Sequence, residues 1–257
     1  MIPKRISAYL DFIARAGVYR GDHRLGEFEI VTNAADIISI EKEVRERYKT
    51  IALPLSVKGA FPPWQVGIIS ATRYFVYLRD AVLFPKASAG GKVARGVYDR
   101  LIYTNHLLDC PGVCLLPITS DKKMVLTVAF RHSTRMWGAE VPGTISLSGE
   151  SAEESVARCA RNELGEINID EIVLLGHTVS ERGILGARIP IYAVMIDRFD
   201  GGSVPSNMVS DHLVVSPEEY LRARMNSPFV FKGKNCLMED AYSDAAFGLA
   251  VGKNILR

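Results

Sequence analysis

Glu140-Val-Pro-Gly-Thr-Ile-Ser-Leu-Ser-Gly-Glu150, then Ser151-Ala-Glu-Glu-Ser-Val-Ala-Arg-Cys-Ala-Arg-Asn-Glu-Leu-Gly165, is the stretch that decides the fold. A Pro-Gly turn feeds a loop, Gly149-Glu150 leads into a helix, and Gly165 ends it. Ser151 followed by Glu154 is a capping-box pattern, which predicts a helix over 152–164. Val156, Ala157, Ala160 and Leu164 give that helix an apolar stripe. Glu154 and Arg158 stand four apart in the favourable order, a pair contributing about 0.3 kcal/mol. Positions 159, 162 and 163 lie three and four apart, so their side chains share a helix face. Facing a loop, such a trio holds a divalent ion when its members are acidic. The ion bridges phosphates and lowers the pKa of an attacking water.

Strand patterns surround this segment. Val66–Ser70, Tyr74–Arg79 and Val93–Tyr103 are rich in β-branched and aromatic residues. Val113–Ile118 and Met124–Phe130 flank Ser120-Asp-Lys-Lys123, a hairpin turn. Strands resume at Ile172–Val179 and Ile189–Ile196. Ser216 caps a helix starting at Pro217, and a last helix is expected over 237–250. Toward the N-terminus, Ile6, Tyr9, Leu10 and Ile13 predict a helix ended by Gly17. Phe28–Thr32 reads as a short strand, and Asn33 or Asp36 caps a helix carrying Ile37, Ile40, Val44 and Tyr48. Pro54, Pro62 and Pro63 mark a connector, so the expected organisation is an accessory region over 1–62 and a main domain over 63–257, with its core at 110–250. Strands and helices do not alternate regularly, which predicts an α+β fold with a mixed sheet.

The chain has 257 residues, 48% of them hydrophobic, enough to bury a sizeable core. A net charge of +2 does not indicate nucleic-acid binding, and no run approaches a membrane span. Four cysteines in this length fit a reducing compartment, so a cytoplasmic location is expected. His106, Cys110 and Cys114 have the makings of three zinc ligands but no clear fourth; buried thiols and a loop histidine are the simpler reading. Gly90-Gly91-Lys92 lacks the spacing of a phosphate-binding loop.

The segment 140–165 resembles the Nudix hydrolase superfamily, and within it the ADP-ribose pyrophosphatase group. The family box is G, five residues, E, seven residues, R-E-(aliphatic)-x-E-E-x-G-(aliphatic). Laid on without gaps, it places Thr144 at the first glycine, Glu150 at the first glutamate and Arg158 at the arginine. Cys159 falls at the next glutamate, Asn162 and Glu163 at the paired glutamates, Gly165 at the second glycine and Glu166 at the aliphatic position. Val128-Ala-Phe-Arg131, Trp137 and Glu140-Val-Pro-Gly143 look like the family's R…W…E-x-P-x-G approach. The likeness covers about 110–250 and implies a Nudix-type α/β/α sandwich with a helical and extended N-terminal accessory region. A slipped alignment, with Glu163-Leu164-Gly165-Glu166 on the family's E-L-x-E, restores two acids but breaks the spacing to Glu150.

The resemblance implies Mg2+ or Mn2+ as cofactor in an active member, with Glu163 as metal ligand and Glu181 as the acid that orients or deprotonates water. It implies ligand contacts from Arg131, Trp137 and Glu140, structural roles for Glu150, Arg158 and Gly165, and a homodimer. Of the three acidic metal positions one carboxylate remains, and a thiol or amide is a poor magnesium ligand. Thr144 is also expected to strain a loop where glycine tolerates positive φ. Two functions follow: a Nudix-fold protein that has lost or weakened hydrolysis and binds a nucleotide-diphosphate-like ligand or a protein partner, or an active metal-dependent hydrolase of ADP-ribose or nucleotide sugars.

Overall fold

The computed structural model describes residues 2–49, 61–87, 93–108, 112–201 and 208–256. They form two compact units, one of Met1–Leu107 with Glu181–Gly186, the other of Leu108–Ser180 with Ala187–Arg257.

In the first unit, α1 (Lys4–Arg15) and α2 (Ala34–Tyr48) have apolar residues three, four and seven apart, and each buries that stripe. Ile6, Tyr9 and Ile13 from α1 and Ile37, Ile40 and Val44 from α2 meet Val76, Leu78 and Ala81. Those last three lie on β3 (Phe75–Ala87), the central strand, which pairs antiparallel with β1 (Glu29–Ile30), β2 (Gly67–Ala71) and β4 (Val93–Tyr103). Asn33 caps α2, accepting from the amides of Ala35 and Asp36. Buried polar groups are paired: the Tyr9 hydroxyl donates to Asp80 at 2.6 Å, Arg100 donates to the same carboxylate at 2.8 Å, and Arg5 pairs with Glu41 at 2.6 Å. Residue 62, the expected end of the accessory region, falls inside this unit, because β2 to β4 share their core with α1 and α2.

The second unit contains β5 (Gly112–Thr119), β6 (Met124–Arg131), β7 (Met136–Glu140), β8 (Gly143–Ile145), α3 (Ala152–Leu164), β9 (Ile169–Thr178), β10 (Ile189–Ile196), β11 (Asp211–Val215), α4 (Pro217–Met225), β12 (Phe229–Phe231), β13 (Lys234–Leu237) and α5 (Ala241–Gly252). The sheet runs β12-β13-β7-β6-β5-β10-β9, with β11 on β6 and β8 on β5. It is mixed: β5 and β10 are parallel, as are β7 and β13. Strands covered on both faces read as continuous apolar runs, and β5 and β10 do. Val113, Leu115, Tyr192 and Val194 pack with Val156, Cys159, Ala160 and Leu164 of α3. The alternate residues Cys114 and Ile191, in register with Gly176, face the other way. There α5 presses Leu249 so close that a Cβ on Gly176 would lie 3.1 Å from its Cδ1. Helix, sheet and helix thus form the expected α/β/α sandwich. Among the described residues no helix is long and apolar enough to cross a membrane.

Candidate metal-diphosphate site

Ser151 and Glu154 close the predicted capping box: the serine hydroxyl accepts from the Glu154 amide at 3.1 Å, and the Glu154 carboxylate accepts from the Ser151 amide at 2.8 Å. That bond occupies Glu154, so the expected pair with Arg158 does not form. Arg158 turns instead to the loop. It donates to Glu150 from Nε at 2.6 Å and from Nη2 at 2.8 Å, and to the Ile145 carbonyl at 2.9 Å. Glu150 also accepts from the Leu147 amide and the Ser155 hydroxyl, each at 2.8 Å. The Arg158 guanidinium first, then these donors, hold the Glu150 carboxyl down to about 2. This pairing ties the loop to the helix, the structural role expected of Glu150 and Arg158. Gly165 ends the helix at φ 83°, a left-handed value that favours glycine.

The three metal positions diverge. Cys159 is 1% exposed and belongs to the apolar cluster with Val156, Ala160 and Leu164. Burial, reinforced by the Glu163 charge, pushes its thiol up to about 12. A buried thiol is also a soft donor, whereas magnesium takes oxygen ligands. Asn162 is exposed and Glu163 half-buried; the Glu163 carbonyl accepts from Nε2 of His212 at 2.7 Å. Position 159 therefore lies in the core stripe of α3 and not on a metal-facing surface. Among the described residues, the one cluster of three metal-competent side chains is Asp22, His23 and Glu29 in the N-terminal unit. There Asp22 is held by Arg24 at 2.7 Å and His23 pairs with Glu29 at 2.5 Å. Among the described residues, no cluster of three metal-competent side chains includes Glu163, whereas magnesium and manganese take several oxygen ligands.

Thr144 is not strained. It lies in β8, extended and paired with Val113, where the loop of the sequence reading was expected. Arg131 is ion-paired with Glu140, so each of these expected ligand contacts already has a partner. Trp137 is half-buried, with the Lys234 ammonium 4.1 Å from its ring centroid and the Phe130 ring edge-on at 5.5 Å. Glu181 is exposed, accepts from the Gly183 amide at 2.9 Å and lies in the segment grouped with the N-terminal unit.

Of the suggested zinc trio, Cys110 falls outside the described residues. Cys114 is buried, its thiol pushed up to about 12 by burial. His106 stacks on Tyr103, with its Nε2 buried and without a hydrogen-bond partner. The sequence reading missed Ser155 and His212. Ser155, four residues after the cap, carried a positional signal; His212, 49 residues from its partner, carried none.

No protein-family model matches the chain, and no curated protein matches its sequence. A solved structure described as the crystal structure of an ADP compounds hydrolase matches over 74% of this chain and 91% of its own, with a TM-score of 0.55 and 16% sequence identity. At that identity the likeness bears on the fold alone: a mixed sheet between helices, consistent with the expected sandwich.

Proposed function

We propose that this chain is a Nudix-fold protein that has lost or strongly weakened hydrolysis and binds a nucleotide-diphosphate-like ligand. The observation that carries this reading is Cys159, a thiol buried in the apolar cluster of α3 at a position where the resemblance implies a metal-binding glutamate. Neither Glu150, tied to Arg158, nor Glu140, tied to Arg131, is a ready replacement. Glu163 alone leaves a divalent ion with one protein carboxylate, too little to order two phosphates and a water. Arg131, Trp137 and Glu140 are the proposed ligand contacts, and a homodimer belongs to the same reading. Glu181 retains its proposed role only under the alternative, an active hydrolase.

The deciding experiment measures turnover of ADP-ribose, nucleotide sugars, NADH and dinucleoside polyphosphates with Mg2+ or Mn2+, beside an E163Q variant and calorimetric binding of ADP-ribose. The expected result is binding without turnover above the variant. Turnover abolished by E163Q would overturn the reading and establish a working, thinned metal site.

A further inference from the structure

At one end of the C-terminal sheet, three rings each lie beneath a cation. The Arg135 guanidinium is 5.3 Å from the Phe130 centroid, the Lys234 ammonium 4.1 Å from that of Trp137, and the Lys232 ammonium 5.4 Å from that of Phe231. Strand register puts the rings on one face. Phe130 is opposite Trp137, Trp137 is in register with Cys236, and Phe231 is opposite Lys234. Lys234 and Cys236, two apart on one strand, point the same way. Phe130 is 42% exposed. The nearby acids Glu140 and Asp211 are each already ion-paired, with Arg131 and Lys232. On this face Arg135, Lys232 and Lys234 thus outnumber Asp211 three to one; Arg131 and Glu140, at odd spacing from Phe130 and Trp137 on their strands, face the other way. Two of these cations occupy turn positions with left-handed backbone, Arg135 at φ 57° and Lys232 at φ 46°, where glycine or asparagine is the easier choice.

We propose that this face binds a single strand of nucleic acid, its bases stacked on the three rings and its phosphates held by the cations that now cover them. A cation over an exposed ring is a weaker contact than a stacked base, and a cation that swings off the ring gains a phosphate. Both changes favour a ligand that brings flat bases and a regular anionic backbone together. A duplex keeps its base faces stacked inside, and an acidic peptide engages the cations without covering the rings. Trp137 is shared with the nucleotide reading, but Phe130, Phe231 and Lys232 lie outside it, and the proposal does not depend on loss of hydrolysis.

The test is fluorescence anisotropy of the full chain with a labelled single strand of about 12 nucleotides, a matching duplex and a poly-glutamate peptide, at about 50 and 200 mM salt. The single strand should bind at least about tenfold tighter than either competitor. The slope of log K against log salt should be about −0.7 per phosphate neutralised, so roughly −2 for three contacts. R135N with K232N suits the left-handed turns, so thermal melting should be unchanged while the slope becomes shallower by about 1.4. F130A with F231A should weaken binding at least about tenfold with the slope unchanged. No binding at low salt, equal affinity for duplex or peptide, or a slope indifferent to R135N with K232N would overturn the proposal. ADP-ribose binding measured on the same variants keeps the two readings separate, since failure of one leaves the other's titration intact.

Discussion

Alkylation of native protein tests where Cys159 points. The thiolate is the nucleophile, so reactivity follows the deprotonated fraction. Raising the thiol from its ordinary 9.0 to about 12 lowers that fraction at pH 7.4 from ~2% to ~0.003%, close to a thousandfold. With the residue 1% exposed, reagent must also wait for local opening, which slows it further. Iodoacetamide labelling followed peptide by peptide should therefore show Cys159 reacting at least about a thousandfold slower in native protein than in urea. Added Co2+ should give no thiolate absorption band and no further protection. The same burial has a pH signature. A raised pKa gives stability that is intact below the unfolded value of 9 and is lost as pH climbs toward 12, because the unfolded chain releases its proton first. The loss is about 1.4 kcal/mol per pH unit, and Cys159→Ala should remove it. Native labelling within tenfold of the unfolded rate, or labelling blocked by Co2+, would refute the core placement and return Cys159 to the loop side as a ligand.

Three further outcomes are expected. Glu150 is depressed from 4.5 to about 2, so its hold on the loop should be complete above pH 4.5 and fade between 4.5 and 2; hydrogen exchange at the Leu147 amide should accelerate over that window, and E150Q should exchange fast throughout. Asp80→Asn should destabilise the N-terminal unit by about 3 to 5 kcal/mol, because it leaves Arg100 beside a neutral partner at a nearly fully buried site; urea unfolding read by Trp64 fluorescence in a Trp137→Phe background measures this. Ser151→Ala should cost about 1 kcal/mol in the same assay with the tryptophans exchanged, and Ser216→Ala about as much, since each serine accepts a helix amide.

What could be read from the sequence was what local chemistry fixes. Helix α3 begins and ends as predicted because Ser151, Glu154 and Gly165 act within a turn of its ends. The Ser216–Pro217 start of α4 holds for the same reason, with Glu219 completing a second capping box. The expected helix from 237 starts later, at Ala241, where Asp240 caps it; Leu237 belongs to β13, whose pairing with β7 joins segments about a hundred residues apart. Strands β7, β8 and β12 are three to five residues long and show no alternation, so only their partners define them. Strand β3 runs well beyond Arg79, past Pro85, with its register slipping between Leu83 and Ala87. Cys159 is three residues after Val156 and five before Leu164, two members of the apolar stripe. Position 159 stands at the edge between that stripe and the side carrying Asn162 and Glu163, so spacing alone did not decide which way it faces. The ring and cation pairs were invisible for a different reason: their six residues come from 130–137 and 231–234, and only sheet register joins them.

Two tasks overlap in the segment 140–165, and the structure separates them. One is architectural: the capping box starts α3, Glu150 and Arg158 tie loop to helix through six hydrogen bonds to protein groups, and Gly165 lets the chain leave the helix. Every one of these contacts is satisfied without an ion. The other is the metal chemistry implied by the resemblance, with carboxylates at 159, 162 and 163, of which this sequence has Glu163. None of these bonds involves the side chain of residue 159, 162 or 163, so tying the loop to the helix does not require acids there. A thiol at 159 even adds apolar packing to α3 that a glutamate would forfeit.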